Sequence, residues 1–229
     1  MTTNHSLLFL GGAGLPAWIW DDVRRELEHE LGTDTVMTVA PRPTNAAGLR
    51  DYAEAAIQAV ETDGFTIVAH SAGGVVAAGV TSLVPYRVNG LLALSAVVPK
   101  PGGSFISAMP APNRWILNVA MRLGGTRPPD SAIRKTLTHG LDESLVEKLI
   151  SDFEAEPLGF YRDSVGQQKW GGPKGYAVTK NDRELPASLQ RTFGERLGAT
   201  WYGEVETGHL PMLEDPQAVA DNIVRFLDA

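Results

Sequence analysis

The sequence predicts an α/β protein: a doubly wound or related sheet of about six mainly parallel strands, with helices on both faces and an inserted helical cap. Three observations predict it. Short apolar runs alternate along the chain with segments of helical periodicity. Four of the runs are almost continuously apolar, as in strands buried on both faces of a parallel sheet. One gap between runs extends over about 80 residues, far more than a plain crossover needs.

Ser6–Leu10 (SLLFL) reads as the first strand. Trp18–Leu31 follows as a helix, with Trp20, Val23, Leu27 and Leu31 on one face. Thr35–Ala40 is the second strand, and Leu49–Thr62 a helix carrying Leu49, Ala53, Ala56, Ile57 and Val60. Phe65–Ala69 is the third strand, and the run VVAAGVTSLV beyond it is helical. Gly90–Ser95 is the fourth. Pro99, Pro101, Gly102 and Gly103 then open the long gap, which holds helix-like pieces at Asn113–Leu123, Ser131–His139 and Asp142–Glu154. Gly175–Thr179 and Thr200–Val205 complete the strands, followed by helices at Leu185–Leu197 and Pro216–Leu227. Asp215 and Pro216 supply an N-cap and a first-turn proline for the last one. The organisation expected is an α/β core over 1–98 and 172–229 and a helical cap over 99–171. The cap would lie over the carboxyl ends of the strands, where open α/β sheets bind ligands.

A chain of 229 residues, 43% of them hydrophobic, buries a full core in one domain. It has no cysteine, which excludes a disulfide framework, a thiolate nucleophile, a zinc ribbon and an iron–sulfur site. A net charge of −7 and a pI near 5.2 argue against nucleic acid and anionic membranes as partners, since both need a basic face. Met1–Ser6 has no Lys or Arg, and Leu7–Leu10 is too short for a signal-peptide core. No apolar stretch approaches the roughly 20 residues of a membrane span. A cytoplasmic protein is expected, and the lack of Cys agrees with a reducing compartment. No pair of histidines shows ligand spacing on one helix and the carboxylates are scattered, so no metal is expected; no cofactor is expected either.

Phe65–Gly74 reads FTIVAHSAGG, a buried strand running into a helix through Ser71. This is the nucleophile-elbow pattern G-x-S-x-G with Ala69 in the first glycine position. Small residues at 69 and 73 let the two sides of the turn press together. The turn lifts the serine hydroxyl above the sheet, and the helix behind it points a positive end at any oxyanion formed there. The same residues also suit a plain helix start, with Ser71 as N-cap. Chain order for this elbow is Ser, then Asp or Glu, then His. His209 follows the last strand across Thr207–Gly208. His5, His29, His70 and His139 fit less well: terminus, early helix, strand beside the serine, and cap. Asp182 lies three residues past the fifth strand, before Pro186; Glu184 is its nearest substitute.

These segments resemble the α/β-hydrolase superfamily, and within it the small methylesterase and hydroxynitrile-lyase group and its bacterial relatives. The matching stretches are LLFLGGAGLPAWIWDDV, VAHSAGG, YAVTKNDRELPASLQ and TGHLPMLEDPQAVADNIVRFL. The resemblance spans nearly the whole chain and is weakest in the cap. It implies an α/β-hydrolase fold and a Ser71–His209–Asp182 triad. It also implies an oxyanion hole made by the backbone N–H groups of Ala13 and Ala72. Gly11 stands where members usually carry His, while Gly12, Ala13, Trp18 and Trp20 match. The lyases typically have Thr at the position of Gly12 and Lys after the base, where this chain has Leu210. The resemblance therefore favours hydrolysis of a small, fairly apolar ester or lactone over cyanide chemistry.

Other readings stand beside this one. Gly12–Ala17 matches a dinucleotide-binding G-x-G-x-x-A, but no acidic residue ends the second strand to bind a ribose. Tyr176 and Lys180 mimic a reductase pair, yet they fall on a predicted strand rather than a helix. A ligand-binding role without catalysis, and the same triad turned to cofactor-free C–C bond or other non-hydrolytic chemistry, both remain open. The expected pocket residues are Trp18, Met109, Trp115, Trp170 and Leu210. Ile116, Leu117, Val119 and Met121 extend the apolar face of the cap.

Overall fold

The structure is a computed structural model that describes residues 5–166 and 170–229. Its strands are β1 (Ser6–Leu10), β2 (Val36–Val39), β3 (Phe65–His70), β4 (Val88–Leu94), β5 (Lys174–Thr179) and β6 (Trp201–Val205). They form one sheet in the order β2-β1-β3-β4-β5-β6, with every neighbouring pair parallel. The helices are α1 (Asp21–Leu31), α2 (Leu49–Ala59), α3 (Gly73–Leu83), α4 (Phe105–Ala108), α5 (Asn113–Gly124), α6 (Asp130–Thr136), α7 (Glu143–Asp152), α8 (Leu158–Arg162), α9 (Ala187–Leu197), α10 (Pro211–Glu214) and α11 (Pro216–Leu227).

Successive strand side chains point to opposite faces, and both faces are apolar here. Leu8, Leu10, Ile67, Ala69, Ala93 and Val178 join α2, α3 and α9 in one core. Leu7, Phe9, Val68, Leu92, Leu94 and Ala177 join α1 and α11 in the other. Trp20, Val23 and Leu27 are wholly buried in that second core. Burying a Val or Leu side chain in this way stabilises the fold by roughly 1.5–3 kcal/mol.

The helix expected over Trp18–Leu31 opens as a 3₁₀ turn, Ala17–Trp20, behind an extended Pro16. The helix expected from Leu185 begins at Ala187. Pro186 has extended backbone (ψ 142°), and a proline keeps the residue before it out of the helical region. At α11, Asp215 accepts the N–H of Ala218 at 2.9 Å and Pro216 occupies the first turn, the start read from the sequence. Between β4 and β5 the chain builds α4 to α8. Helices α5, α6 and α7 answer to the three expected pieces, whereas α4 and α8 are too short to show a period. Ile133, Val146, Ile150 and Phe153 form a small core of their own that holds α6 on α7. No helix among the described residues is long and apolar enough to cross a membrane.

Strand order sets the position of the site. The chain leaves β1 for β2 on one side, then crosses back to β3 on the other. Leu10 pairs with Ala69, so the segments after β1 and β3 open side by side. Such a reversal leaves a crevice at the carboxyl ends of the strands.

Candidate active site

Ser71 follows β3 with φ +52°, in the left-handed region that L residues avoid. That conformation costs on the order of 1–3 kcal/mol and persists only where neighbours over-determine it. They do so here. Val97 and Gly74 donate their N–H groups to the Ser71 carbonyl at 2.8 and 3.1 Å. A Cβ at Gly73 would lie 2.5 Å from the Leu10 carbonyl oxygen and 2.8 Å from that of Gly11, so α3 passes the end of β1 with no room for a side chain. The small residue at 73 thus serves an approach to β1; the atoms nearest it are not those of Ala69.

The loops after β5 and β6 run together, with Lys180 N–H donating to Val205 and Asn181 N–H to Thr207. This brings Asp182 and His209 into contact. His209 Nδ1 lies 2.8 Å from Asp182 Oδ2, and His209 Nε2 lies 3.0 Å from Ser71 Oγ. With Nδ1–H donating a hydrogen bond to the Asp182 carboxylate, Nε2 is free to accept from the serine hydroxyl. Asp182 and His209 are both buried.

Asp182 is held from all sides. Oδ1 accepts the N–H groups of Glu184 and Leu185, each at 2.8 Å. Oδ2 accepts from the Thr179 hydroxyl at 3.0 Å and the Gln190 amide at 3.3 Å, besides His209. Burial alone would raise its pKa; the hydrogen bond and charge of His209, with the donors from Leu185 and Thr179, outweigh burial and hold the carboxyl below its usual range.

Two buried side chains that sequence reasoning passed over support this chain of contacts. Gln190 on α9 accepts the Thr179 N–H at 3.0 Å and donates to the Thr179 and Leu185 carbonyls. His70 donates Nε2–H to the His209 carbonyl at 2.8 Å. Burial, aided by the nearby His209 charge, pushes the His70 pKa down to about 3, so it stays neutral. Helical periodicity flags apolar faces, not a buried amide, so Gln190 left no signal. The sequence places His70 on a strand beside the serine, a poor position for a base; as a donor it is legible only in three dimensions.

Gly12 packs directly on the serine, since a Cβ there would lie 3.0 Å from Ser71 Cβ. Ala13 and Ala72 line one cavity with Ser71 and His209. Neither of their N–H groups donates to a protein acceptor among the described residues. The cavity has a volume of about 380 Å³ and apolar walls from Phe105, Met109, Leu117, Met121, Phe153 and Leu185. Besides His209, the lining includes one carboxylate, Glu184, and the phenol of Tyr161.

Of the expected pocket residues, Met109 lines the cavity and four lie elsewhere. Trp18 donates Nε1–H to Asp152 at 2.8 Å and carries the Lys148 ammonium over its ring. Trp115 is 59% exposed, on the outer face of α5, because the 3.6-residue turn gives the cavity to Leu117, Ala120 and Met121. Trp170 donates to the Val88 carbonyl at the start of β4, the opposite end of the sheet from Ser71. Leu210 is fully buried in the α1–α11 core. No cluster of three or more His, Asp or Glu among the described residues is placed to hold a metal.

A serine on a left-handed turn at the switch point of a parallel sheet, with an imidazole and a carboxylate behind it, defines an α/β-hydrolase architecture. Residues 7–222 match the alpha/beta hydrolase family, and the chain belongs to that family. A relative from Strychnos sp, named norfluorocurarine synthase 2, is 22% identical over 258 residues, covering 99% of this chain and 97% of that protein. Among solved structures, an extracellular alpha/beta-hydrolase from a Paenibacillus species superposes with a TM-score of 0.84 at 19% identity, over 96% of this chain and 98% of that one. It is described as sharing structural and functional homology with tobacco salicylic acid binding protein 2. Polyneuridine aldehyde esterase superposes at 0.75 with 18% identity, over 99% of both chains. At these identities the superpositions speak for the fold.

Proposed function

We propose that the protein is a serine hydrolase that cleaves a small, fairly apolar carboxylic ester or lactone through an acyl-enzyme. One observation carries the proposal: Ser71 Oγ, His209 Nε2 and Nδ1, and Asp182 Oδ2 lie in a hydrogen-bonded row, with Ser71 and His209 lining an apolar cavity and Asp182 buried behind them. His209 takes the serine proton as Oγ attacks the carbonyl carbon. Asp182 holds the imidazole in the required tautomer and stabilises its charged form. The Ala13 and Ala72 N–H groups receive the oxyanion, helped by the N-terminal end of α3. His209 then protonates the departing alkoxide. A water, deprotonated by His209, releases the acid and frees Ser71. Residues 99–171 act as the cap and supply the walls that select substrate. Cytoplasmic residence belongs to the same proposal and rests on the absence of cysteine.

Labelling with a fluorophosphonate, followed by mass spectrometry of the modified peptide, tests the nucleophile. Modification confined to Ser71, together with loss of ester turnover in Ser71→Ala, is expected. Full turnover in that variant would sink the assignment.

A second reading keeps the same residues and changes the reaction. The Strychnos relative is named a synthase, which favours cofactor-free, non-hydrolytic chemistry on a biosynthetic intermediate. A panel of esters and lactones separates the two. Turnover to free acid and alcohol with burst kinetics supports hydrolysis; Ser71 labelling without turnover of any ester supports the alternative.

A further inference from the structure

The loop after β1 is held from the segment that follows α7. Gly14 N–H donates to Glu156 Oε1 at 2.8 Å, and Glu154 N–H donates to the Gly14 carbonyl at 3.1 Å. Both polar backbone groups of Gly14 are therefore engaged by residues 154–156. Gly14 has φ +75°, and a Cβ on it would lie 2.3 Å from the Phe153 ring and 2.7 Å from the Glu154 carbonyl oxygen. The loop is pressed onto this segment with no side chain between them.

Glu156 is itself fixed. It is 5% exposed, and besides Gly14 N–H its carboxylate accepts from the Arg42 guanidinium and the Tyr52 hydroxyl. Arg42 also reaches Glu154 Oε2 at 2.6 Å. A buried carboxylate with three donors, two of them charged or hydroxyl groups on other elements, holds a backbone amide more rigidly than a turn does. The loop lacks a comparable brace on its other side. Among the described residues, a Cβ at Gly11 would meet nothing closer than 3.9 Å, and the neighbouring Trp20 Nε1 is buried without a hydrogen-bond partner.

Ala13 directly precedes Gly14 and is one of the two proposed oxyanion donors. Phe153, three residues before Glu156, lines the cavity over Ser71. The same stretch of chain thus walls the substrate and holds the loop that receives the developing charge. We propose that Glu156 is a positioning residue that sets the Ala13 N–H against Ser71 through its hydrogen bond to Gly14. This rests on the hydrolase reading above.

The test compares Glu156→Leu, which removes the acceptor at similar volume, with Glu156→Gln, which keeps one carbonyl oxygen for Gly14 and Arg42. Losing an oxyanion donor costs on the order of 10²–10³ in kcat, so misplacing one should cost about 10–100-fold. Glu156→Leu is expected to lose that much kcat with little change in KM, and Glu156→Gln to recover most of it. A trifluoromethyl ketone, which forms a tetrahedral adduct on Ser71, should weaken in parallel with kcat. A planar amide analogue of the substrate should bind as before. Tyr52→Phe keeps the ring packed on Phe160 and removes only a donor to Glu156, so it serves if the Leu variant does not fold. It should lower kcat a few-fold with the same pattern. Unchanged kcat in both variants, or equal weakening of the planar and tetrahedral ligands, overturns the proposal while leaving the triad intact. Turnover that survives Ser71→Ala fails the underlying reading instead.

Discussion

His70 donates its Nε2–H to the backbone carbonyl of His209 across 2.8 Å, so the residue before Ser71 holds the loop that carries His209. The two rings lie 5.0 Å apart, centre to centre. A proton added to His70 would put a cation beside His209 in a fully buried site, and its Nδ1 has no acceptor among the described residues.

Stability should therefore fall in mild acid. Folding depresses the His70 pKa from 6.5 to about 3, so the unfolded chain binds the extra proton between those values. Its contribution is complete above pH 6.5 and is lost as pH falls toward 3, with a slope of about 1.4 kcal/mol per pH unit. His70→Gln keeps an amide donor near the His209 carbonyl and does not titrate. Urea unfolding above and below pH 6.5 should show the variant less pH-dependent by about that slope. Parallel pH profiles for the two proteins would place the acid sensitivity elsewhere.

Gln190 makes a second prediction. It is fully buried and satisfies the N–H and the carbonyl of Thr179 at the end of β5. Gln190→Leu matches it in size and leaves both groups unpaired, each at a cost of about 1–3 kcal/mol. The variant should lose stability by a few kcal/mol in denaturant. It should also lose kcat at temperatures where it remains folded, because Thr179 and Asp182 share that network. A stable variant with reduced kcat would assign Gln190 to aligning Asp182 alone.

How far the sequence foretold this molecule depended on the kind of signal each part emits. The strands were legible because β1, β3 and β4 are apolar on both faces. Ser71, Asp182 and His209 were legible because short turns at strand ends fix where a side chain emerges. The pocket was not. Trp18, Trp115, Trp170 and Leu210 are large apolar residues, and size alone does not say which face of a helix meets a cavity. Trp115 and Leu117 differ by two positions on α5, about 200° around the helix, enough to separate solvent from substrate. Gly11 shows the same limit, because a missing side chain does not announce that Glu156 braces the loop from elsewhere.

Glu184 should tune selectivity by charge. It lines the cavity beside Leu185 and is exposed, so water screens it. At such a site one charge is worth about 0.5–1 kcal/mol, or a factor of 2–5. Glu184→Gln should shift kcat/KM by that factor toward an ester with a free carboxylate, relative to its neutral isostere, and the shift should shrink at high salt. A shift independent of salt would point to steric contact instead.

Ser71 offers the last test, one of strain rather than chemistry. Its φ of +52° suits glycine far better than any residue with a Cβ. Ser71→Ala and Ser71→Gly both remove the hydroxyl that meets His209, so both lose the same hydrogen bond and the same activity. They differ in the Cβ, which in the left-handed region costs roughly 1–2 kcal/mol. Glycine's greater freedom when unfolded takes back about 0.5–1 kcal/mol. The glycine variant should therefore be the more stable of the two by up to about 1.5 kcal/mol in chemical denaturation. Strain of this kind is retained where the chain needs a side chain aimed in a direction that relaxed backbone does not give. If the alanine variant proves the more stable, the turn at Ser71 stores no strain, and the hydroxyl's position follows from packing alone.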